Sequence, residues 1–264
     1  MMGSHKYRAV IFDMDGTILD TIEDLTDSLN YVMEKFGYPV HTVEEMKTFV
    51  GNGMYMMIKR AVPMDIIRTS KTFKDGRVRN PVSNDMCTAE TEVSEMNAEM
   101  FAAEAEAQLQ EMYRCFRDYY RNHCNIKTGP YEGITELLKK LRESGIKTAV
   151  ISNKADEAVK ELCGSVFKDC FDYYLGAVDG AKLKPDRDMV DMALDRLGIM
   201  SEEAVYVGDS QVDLQTAANA QMDCISVTWG FRSREFLIEN GARVLVDSPS
   251  EIYEMIRHTL LCKG

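Results

Sequence analysis

Tyr7-Arg8-Ala9-Val10-Ile11-Phe12-Asp13-Met14-Asp15-Gly16-Thr17 decides the fold. The first six residues are an apolar run of strand type, and two carboxylates follow at its C-terminal tip. In open α/β sheets that edge is where ligands bind. If strand geometry continues through Asp15, both carboxylates point the same way, and Gly16 then lets the chain turn sharply. Two close like charges are costly unless a cation joins them or one stays protonated. A divalent metal, with one carboxylate as nucleophile and the other as acid/base, is the economical reading.

Downstream, residues from about 19 to 129 read as almost wholly helical. Leu25, Leu29, Val32, Met33 and Phe36 recur at helical spacing and stop at Gly37 and Pro39. Leu109, Met112, Tyr113, Phe116, Tyr120 and His123 form a second stripe, read as core packing. Between them, Pro63 to Glu92 is polar and irregular. From Gly129-Pro130 onward strands and helices alternate. Strands are expected at 147–152, 204–207, 224–227 and 243–246, and helices at 134–143, 189–197, 214–220 and from about Pro249. Strands alternating with helices imply a parallel sheet with right-handed crossovers.

Composition bounds the function. The 264 residues suit one large domain or two small ones, and 45% hydrophobic content suffices for a real core. A formal net charge of −12 argues against a nucleic-acid or anionic-membrane surface. The seven cysteines include no CxxC pair and read as reduced thiols of a cytoplasmic protein. No segment approaches the roughly 18 apolar residues of a membrane helix, and Met1-Met2-Gly3-Ser4-His5 lacks a signal peptide's apolar region.

Each expected strand end carries a polar group of a different kind. Asp13 and Asp15 follow the first strand, and Ser152-Asn153 close the second. Lys182 and Lys184 lie in the loop 180–185, and Gly208-Asp209-Ser210 follows a later strand, with Asp213 four residues beyond Asp209. Converging carboxylates, a hydroxyl and a lysine suit metal-assisted phosphoryl transfer. Mg²⁺ takes oxygen ligands and binds phosphate at the same time, and a carboxylate can form an acyl-phosphate. Blander readings stand beside these. Asp209 could be a helix N-cap, Asp213 an ordinary first-turn carboxylate, and Gly51-Asn52-Gly53 a simple turn. Arg60 and Arg232 are either anion contacts or surface residues.

Taken in order, Asp13-Met14-Asp15-Gly16-Thr17, Ser152-Asn153, Lys184-Pro185 and Gly208-Asp209-Ser210-x-x-Asp213 resemble the four motifs of the haloacid dehalogenase (HAD) superfamily of phosphotransferases. The resemblance spans nearly the whole chain. Phosphoglycolate-phosphatase-like members share the run after Asp15, the Gly51-Asn52-Gly53 loop and Thr228-Trp229-Gly230-Phe231-Arg232. The resemblance implies an α/β fold: a Rossmann-like core from residues 1–18 and 130–264, with an inserted helical cap of the C1 type at 19–129.

It also implies a Mg²⁺-dependent phosphoric monoester hydrolase acting on a small phosphorylated metabolite, with phosphoglycolate as lead candidate. A sugar phosphomutase, a nucleotidase and a pyrophosphatase are the alternatives on the same fold. By motif, Asp13 is the nucleophile and Asp15 the acid/base. Mg²⁺ is held by the Asp13 carboxylate, the Asp15 backbone carbonyl and Asp209, with Asp213 in support. Ser152 and backbone N–H groups near Met14 and Asn153 bind the phosphoryl oxygens. Lys184 neutralises charge between phosphate and Asp13, and Gly51, Asn52 and Gly53 face the substrate.

Overall fold

The computed structural model describes residues 7–63 and 93–258. Its strands, in chain order, are β1 (Ala9–Phe12), β2 (Leu19–Asp20), β3 (Gly129–Pro130), β4 (Lys147–Ala155), β5 (Tyr173–Ala177), β6 (Ala204–Gly208), β7 (Asp223–Val227) and β8 (Leu245–Val246). Six of them form one sheet in the order β5-β4-β1-β6-β7-β8, and every neighbouring pair is parallel. The chain fills the sheet outward from β1, first one way through β4 and β5, then the other through β6 to β8. This reversal of strand order opens a crevice at the C-terminal ends of β1, β4 and β6.

The helices are α1 (Ile22–Phe36), α2 (Val43–Phe49), α3 (Met54–Ala61), α4 (Val93–Tyr120), α5 (Ile134–Glu143), α6 (Asp156–Val166), α7 (Asp188–Leu197), α8 (Gln211–Asn219), α9 (Arg234–Glu239) and α10 (Pro249–His258). Strand periodicity sorts the apolar side chains to two faces of the sheet. Val10, Phe12, Val150, Val205 and Val207 pack against α5, α6 and α10. Ala9, Ile11, Ala149, Ile151 and Tyr206 pack against α7 and α8. A third apolar cluster joins Leu25, Leu29, Val32 and Met33 of α1 to Met57 and Ile58 of α3 and to Leu109, Met112, Phe116 and Tyr120 of α4.

Local signals explain these helix ends. Gly37 takes φ 76° after α1, and the Tyr38 N–H returns to the Met33 carbonyl at 2.8 Å. Thr42 and Glu45 cap α2 reciprocally, with bonds of 2.8 and 3.2 Å. No described helix is long and apolar enough to cross a membrane.

Two strand passages join the helical cluster to the sheet, and they pair with each other: β2 and β3 are antiparallel, Leu19 opposite Pro130 and Asp20 opposite Gly129. Just inside them, the buried carboxylate of Asp24 accepts the backbone N–H groups of Ile126, Lys127 and Thr128 at 3.0, 3.0 and 2.9 Å. One side chain therefore fixes the returning chain to the first turn of α1. Asp24→Ala would remove the one buried acceptor that these three partly buried donors share. It is expected to lower stability by about 2–4 kcal/mol, read as a shift of the urea midpoint at unchanged m-value.

Three expectations meet adjustments. The first strand begins at Ala9 rather than Tyr7. Strand β5 and helix α6 form where the sequence reading places no element. The irregular stretch expected from Pro63 to Glu92 lies, after its first residue, outside the described residues.

Candidate active site

The crevice at the sheet's C-terminal ends collects the polar residues one strand at a time. Asp13 follows β1 and still donates its N–H to the Val207 carbonyl at 2.9 Å. There the strand stops. The N–H groups of Thr17, Ile18 and Leu19 all turn back to the Met14 carbonyl, at 3.3, 3.1 and 3.0 Å, and Gly16 adopts φ 84°. Strand geometry therefore does not continue through Asp15, and the two carboxylates find separate partners. Asp13 Oδ1 accepts from Lys184 Nζ at 2.5 Å. Asp15 Oδ1 accepts from the Thr21 hydroxyl at 2.7 Å and faces Lys154 Nζ at 3.0 Å.

Asp13, Asp209 and Asp213 offer buried carboxylate oxygens that all lie within 4.8 Å of one another. Lys184 is the cation among them. Its three N–H groups reach Asp13 Oδ1 at 2.5 Å, Asp213 Oδ1 at 2.9 Å and the Tyr206 hydroxyl at 3.1 Å. Asp213 is saturated by protein: Oδ1 takes Lys184 and Tyr206, while Oδ2 takes the Ser210 N–H at 3.1 Å and the Ser210 hydroxyl at 2.6 Å. Asp209 is less engaged. Its Oδ2 accepts the Phe231 N–H at 2.7 Å, and Oδ1 has no protein partner among the described residues.

Electrostatics follow from three carboxylates around one ammonium. Burial, reinforced by Asp213 and Asp13, pushes the Asp209 carboxyl well above the ordinary range against the Phe231 N–H. Burial also lifts Asp13 to about 7; Lys184 opposes this, and Asp213 and Asp15 add to it. Burial alone would lower Lys184, but Asp13 and Asp213 outweigh it and hold the ammonium charged, above its usual range. Such a set has more negative charge than its own cation balances. The donors are all oxygen and one Asp209 oxygen is free, which fits a divalent hard cation.

The cleft above this cluster is lined by Asp13, Asp15, Ser152, Asn153, Lys184, Asp209 and Asp213 on one side, and by Val50, Gly51, Gly53, Met54 and Met57 on the other. Ser152 Oγ accepts the Lys154 N–H at 3.2 Å. The Asn153 side chain braces the Lys184 loop: Oδ1 accepts the Lys184 N–H at 2.8 Å and Nδ2 donates to the Lys184 carbonyl at 2.9 Å. Asn52 is turned aside, its Oδ1 accepting from Arg60 at 2.5 Å. Lys182 is exposed and pairs with Asp186 at 3.3 Å. His123 stacks on Tyr119 and contacts its carbonyl at 2.7 Å, a packed residue as expected.

Arg60 and Arg232 have structural work. An α-helix leaves its last carbonyls without intrahelical partners. At the end of α2, Arg232 donates to the carbonyls of Lys47 and Val50, and Arg60 to that of Phe49. The sequence reading did not single out Lys154 or Tyr206. Lys154 is buried at the end of β4, between Asp15 and the Tyr120 hydroxyl 2.6 Å away. Its position after Ser152-Asn153 at a strand end was the available signal. Gly230 was quoted only as part of a motif. Its backbone lies so close to the cluster that a Cβ there would sit 2.4 Å from both Asp209 Cβ and the Gly16 carbonyl oxygen.

Comparison with known proteins gives the family. The family model for haloacid dehalogenase-like hydrolases matches residues 7–221. The chain belongs to that family. It is 39% identical to a Lactobacillus delbrueckii subsp. bulgaricus protein whose crystal structure is described as that of a candidate phosphoglycolate phosphatase, with 95% of this chain and 98% of that one covered at a TM-score of 0.77. A phosphoglycolate phosphatase of Chromobacterium violaceum is 28% identical over 97% of this chain and 100% of its own length. Another, from Pseudomonas savastanoi pv. phaseolicola, is 26% identical over 91% of this chain and 76% of its own. This HAD hydrolase is a phosphatase, a phosphoric monoester hydrolase.

Proposed function

We propose that this phosphatase is Mg²⁺-dependent and hydrolyses 2-phosphoglycolate through a phosphoaspartate on Asp13. The observation that carries the chemistry is the placement of Asp13, within 4.8 Å of Asp209 and Asp213 and 2.5 Å from Lys184 at the floor of a cleft. The substrate reading is supported by the names of the relatives. In the first step an Asp13 oxygen attacks phosphorus, the P–O ester bond breaks, and Asp15 gives its proton to the leaving oxygen. In the second, Asp15 takes a proton from a water that attacks the same phosphorus, releasing phosphate and restoring Asp13. Lys184 lies against Asp13 and offsets charge as the phosphoryl group arrives. The Ser152 hydroxyl and nearby backbone N–H groups receive the phosphoryl oxygens.

Asp13, Asp209 and the Asp15 carbonyl are the groups that would hold Mg²⁺, with Asp213 occupied in orienting Lys184. The ion would supply charge neutralisation at the phosphoryl oxygens. Residues 19–129 act as a cap in this reading. Its loop Gly51-Asn52-Gly53 reaches the cleft through the two glycines, so that the leaving group is selected by surfaces facing the core. Pairing of β2 with β3 makes the hinge. The five described cysteines are all unpaired, which fits the cytoplasmic location proposed for it.

A phosphoester panel tests this directly. Phosphate release with Mg²⁺ is expected to have its highest kcat/KM on 2-phosphoglycolate, to need no bisphosphate activator, and to vanish in EDTA. Undiminished turnover in EDTA, or a better substrate among sugar phosphates, nucleotides or pyrophosphate, would refute the corresponding half of the reading. The metal assignment has its own test at Gly230. Gly230→Ala must displace Asp209 or the Gly16 carbonyl, and is expected to raise the Mg²⁺ concentration for half-maximal activity about 100-fold. Asp209→Asn is the direct control, and an unchanged Mg²⁺ titration in that variant would remove Asp209 from the metal site.

A further inference from the structure

The reaction as written does not use Lys154. Its ammonium is buried, 3.0 Å from Asp15 Oδ1 and 2.6 Å from the Tyr120 hydroxyl, and it lies over the Tyr120 ring at 4.6 Å from the centroid. An ammonium has three N–H donors, so two are engaged and one has no protein acceptor among the described residues. Lys154 is also part of the cleft lining. The other cations there are committed. Lys184 has all three N–H groups paired, and Arg232 turns its fork to the carbonyls that end α2. That remaining N–H, on a residue lining the cleft, is left to solvent or to an acceptor on a bound ligand, and an anionic acceptor makes the stronger bond to an ammonium.

Distance identifies the anion. The leaving oxygen must lie one hydrogen bond from the Asp15 carboxyl to receive its proton, and Lys154 Nζ lies 3.0 Å from that carboxyl. The leaving oxygen and Nζ are thus within about 6 Å, two hydrogen-bond lengths. A carboxylate one carbon from the ester oxygen spans that gap. We propose that Lys154, positioned by Asp15 and Tyr120, binds a carboxylate carried by the leaving group, so that the site selects phosphate esters of a 2-hydroxy acid. This rests on the phosphatase reading of the site and deepens it. The selecting ammonium comes from the sheet and its Tyr120 brace from α4 of the helical unit, so the pocket for the carboxylate is complete only with both in place.

The test uses the Mg²⁺-loaded full-length enzyme and two substrates: 2-phosphoglycolate, and 2-hydroxyethyl phosphate, in which a neutral hydroxymethyl group replaces the carboxylate. The readout is the ratio of their kcat/KM values. The wild type is expected to prefer the carboxylated ester by about 100-fold or more, and Lys154→Met to collapse that preference to within about tenfold, the loss falling mainly on 2-phosphoglycolate. If Lys154→Met slows both substrates equally and the preference survives, the lysine only orients Asp15; the proposal is then overturned while the substrate reading stands. If the wild type shows no preference, both fall together. Tyr120→Phe retains the charge but releases the ammonium. It is expected to raise KM for 2-phosphoglycolate and to weaken inhibition by glycolate, with kcat within about threefold of wild type. An unchanged KM and unchanged glycolate inhibition would also overturn the proposal, even where Lys154→Met fails to fold.

Discussion

Asp13→Asn is expected to lower kcat by about four to six orders of magnitude and to leave the protein folded. The amide cannot attack phosphorus, so no phosphoenzyme forms under the proposed mechanism. The fold does not depend on the lost charge, because β1 is held by Ala9, Val10, Ile11 and Phe12, all fully buried. Burial lifts Asp13 to about 7, above its ordinary value, so its ionised form costs stability at pH values above that and the cost fades as pH falls through it. A neutral Asn at this position should therefore unfold in EDTA at pH 8 no more readily than the wild type. Thermal unfolding and a single-turnover assay with phosphate release read the two effects separately. Steady-state turnover within a hundredfold of wild type would sink the phosphoaspartate mechanism. Asp15→Asn should behave differently. The nucleophile remains, so slow phosphorylation should proceed while both proton transfers stall.

The motif residues were legible because each sits where local pattern and topology agree. An apolar strand run followed by a carboxylate says, without any three-dimensional input, that the carboxylate faces the ligand edge of a parallel sheet. Asp13, Ser152 and Asp209 are placed that way, and the structure brings all three to one cleft. Strand β5 was hidden by the residue that makes it possible. Gly176 interrupts its apolar pattern because the N-terminus of α6 passes over it; a Cβ there would lie 2.4 Å from Asp156 Cα, and Asp156 accepts the Gly176 N–H at 2.9 Å. A glycine required by close backbone approach reads, in sequence, as a strand breaker.

Asp15 shows the opposite difficulty. Local strand geometry predicts that it shares a direction with Asp13. Three N–H groups converging on the Met14 carbonyl instead turn the chain, and Asp15 meets Lys154. Tyr120 was visible only as one member of an apolar helical stripe. Periodicity reports the buried face of its ring and carries no information about a hydroxyl that reaches a lysine 34 positions away. Asp13, Lys184 and Asp209 come from three separate loops, and Asp213 from the first turn of α8. Their mutual distances are products of the sheet order and not of any one segment.

Lys184→Met is the second change with a large expected effect, and it acts on stability and catalysis together. Lys184 is buried, and among the described residues its ammonium is the one positive group contacting Asp13 and Asp213. A methionine of similar length fills the space but leaves those carboxylates and Asp209 facing one another without their cation. Breaking a buried ion pair from one side costs about 3–5 kcal/mol. The metal-free variant should show that loss as a lower urea midpoint. Part of it should return on adding Mg²⁺, because a divalent cation would relieve the same repulsion. Catalysis should not return with it. With its cation gone, Asp13 is driven further toward the protonated form, which is not nucleophilic, and the incoming phosphoryl charge has lost its nearest counter-charge. The expected loss in kcat is about 10³- to 10⁴-fold at saturating Mg²⁺. A variant that recovers kcat to within tenfold once Mg²⁺ restores its stability would show that Lys184 only holds the carboxylates together, and would leave the neutralisation of the transferring phosphoryl group to the metal.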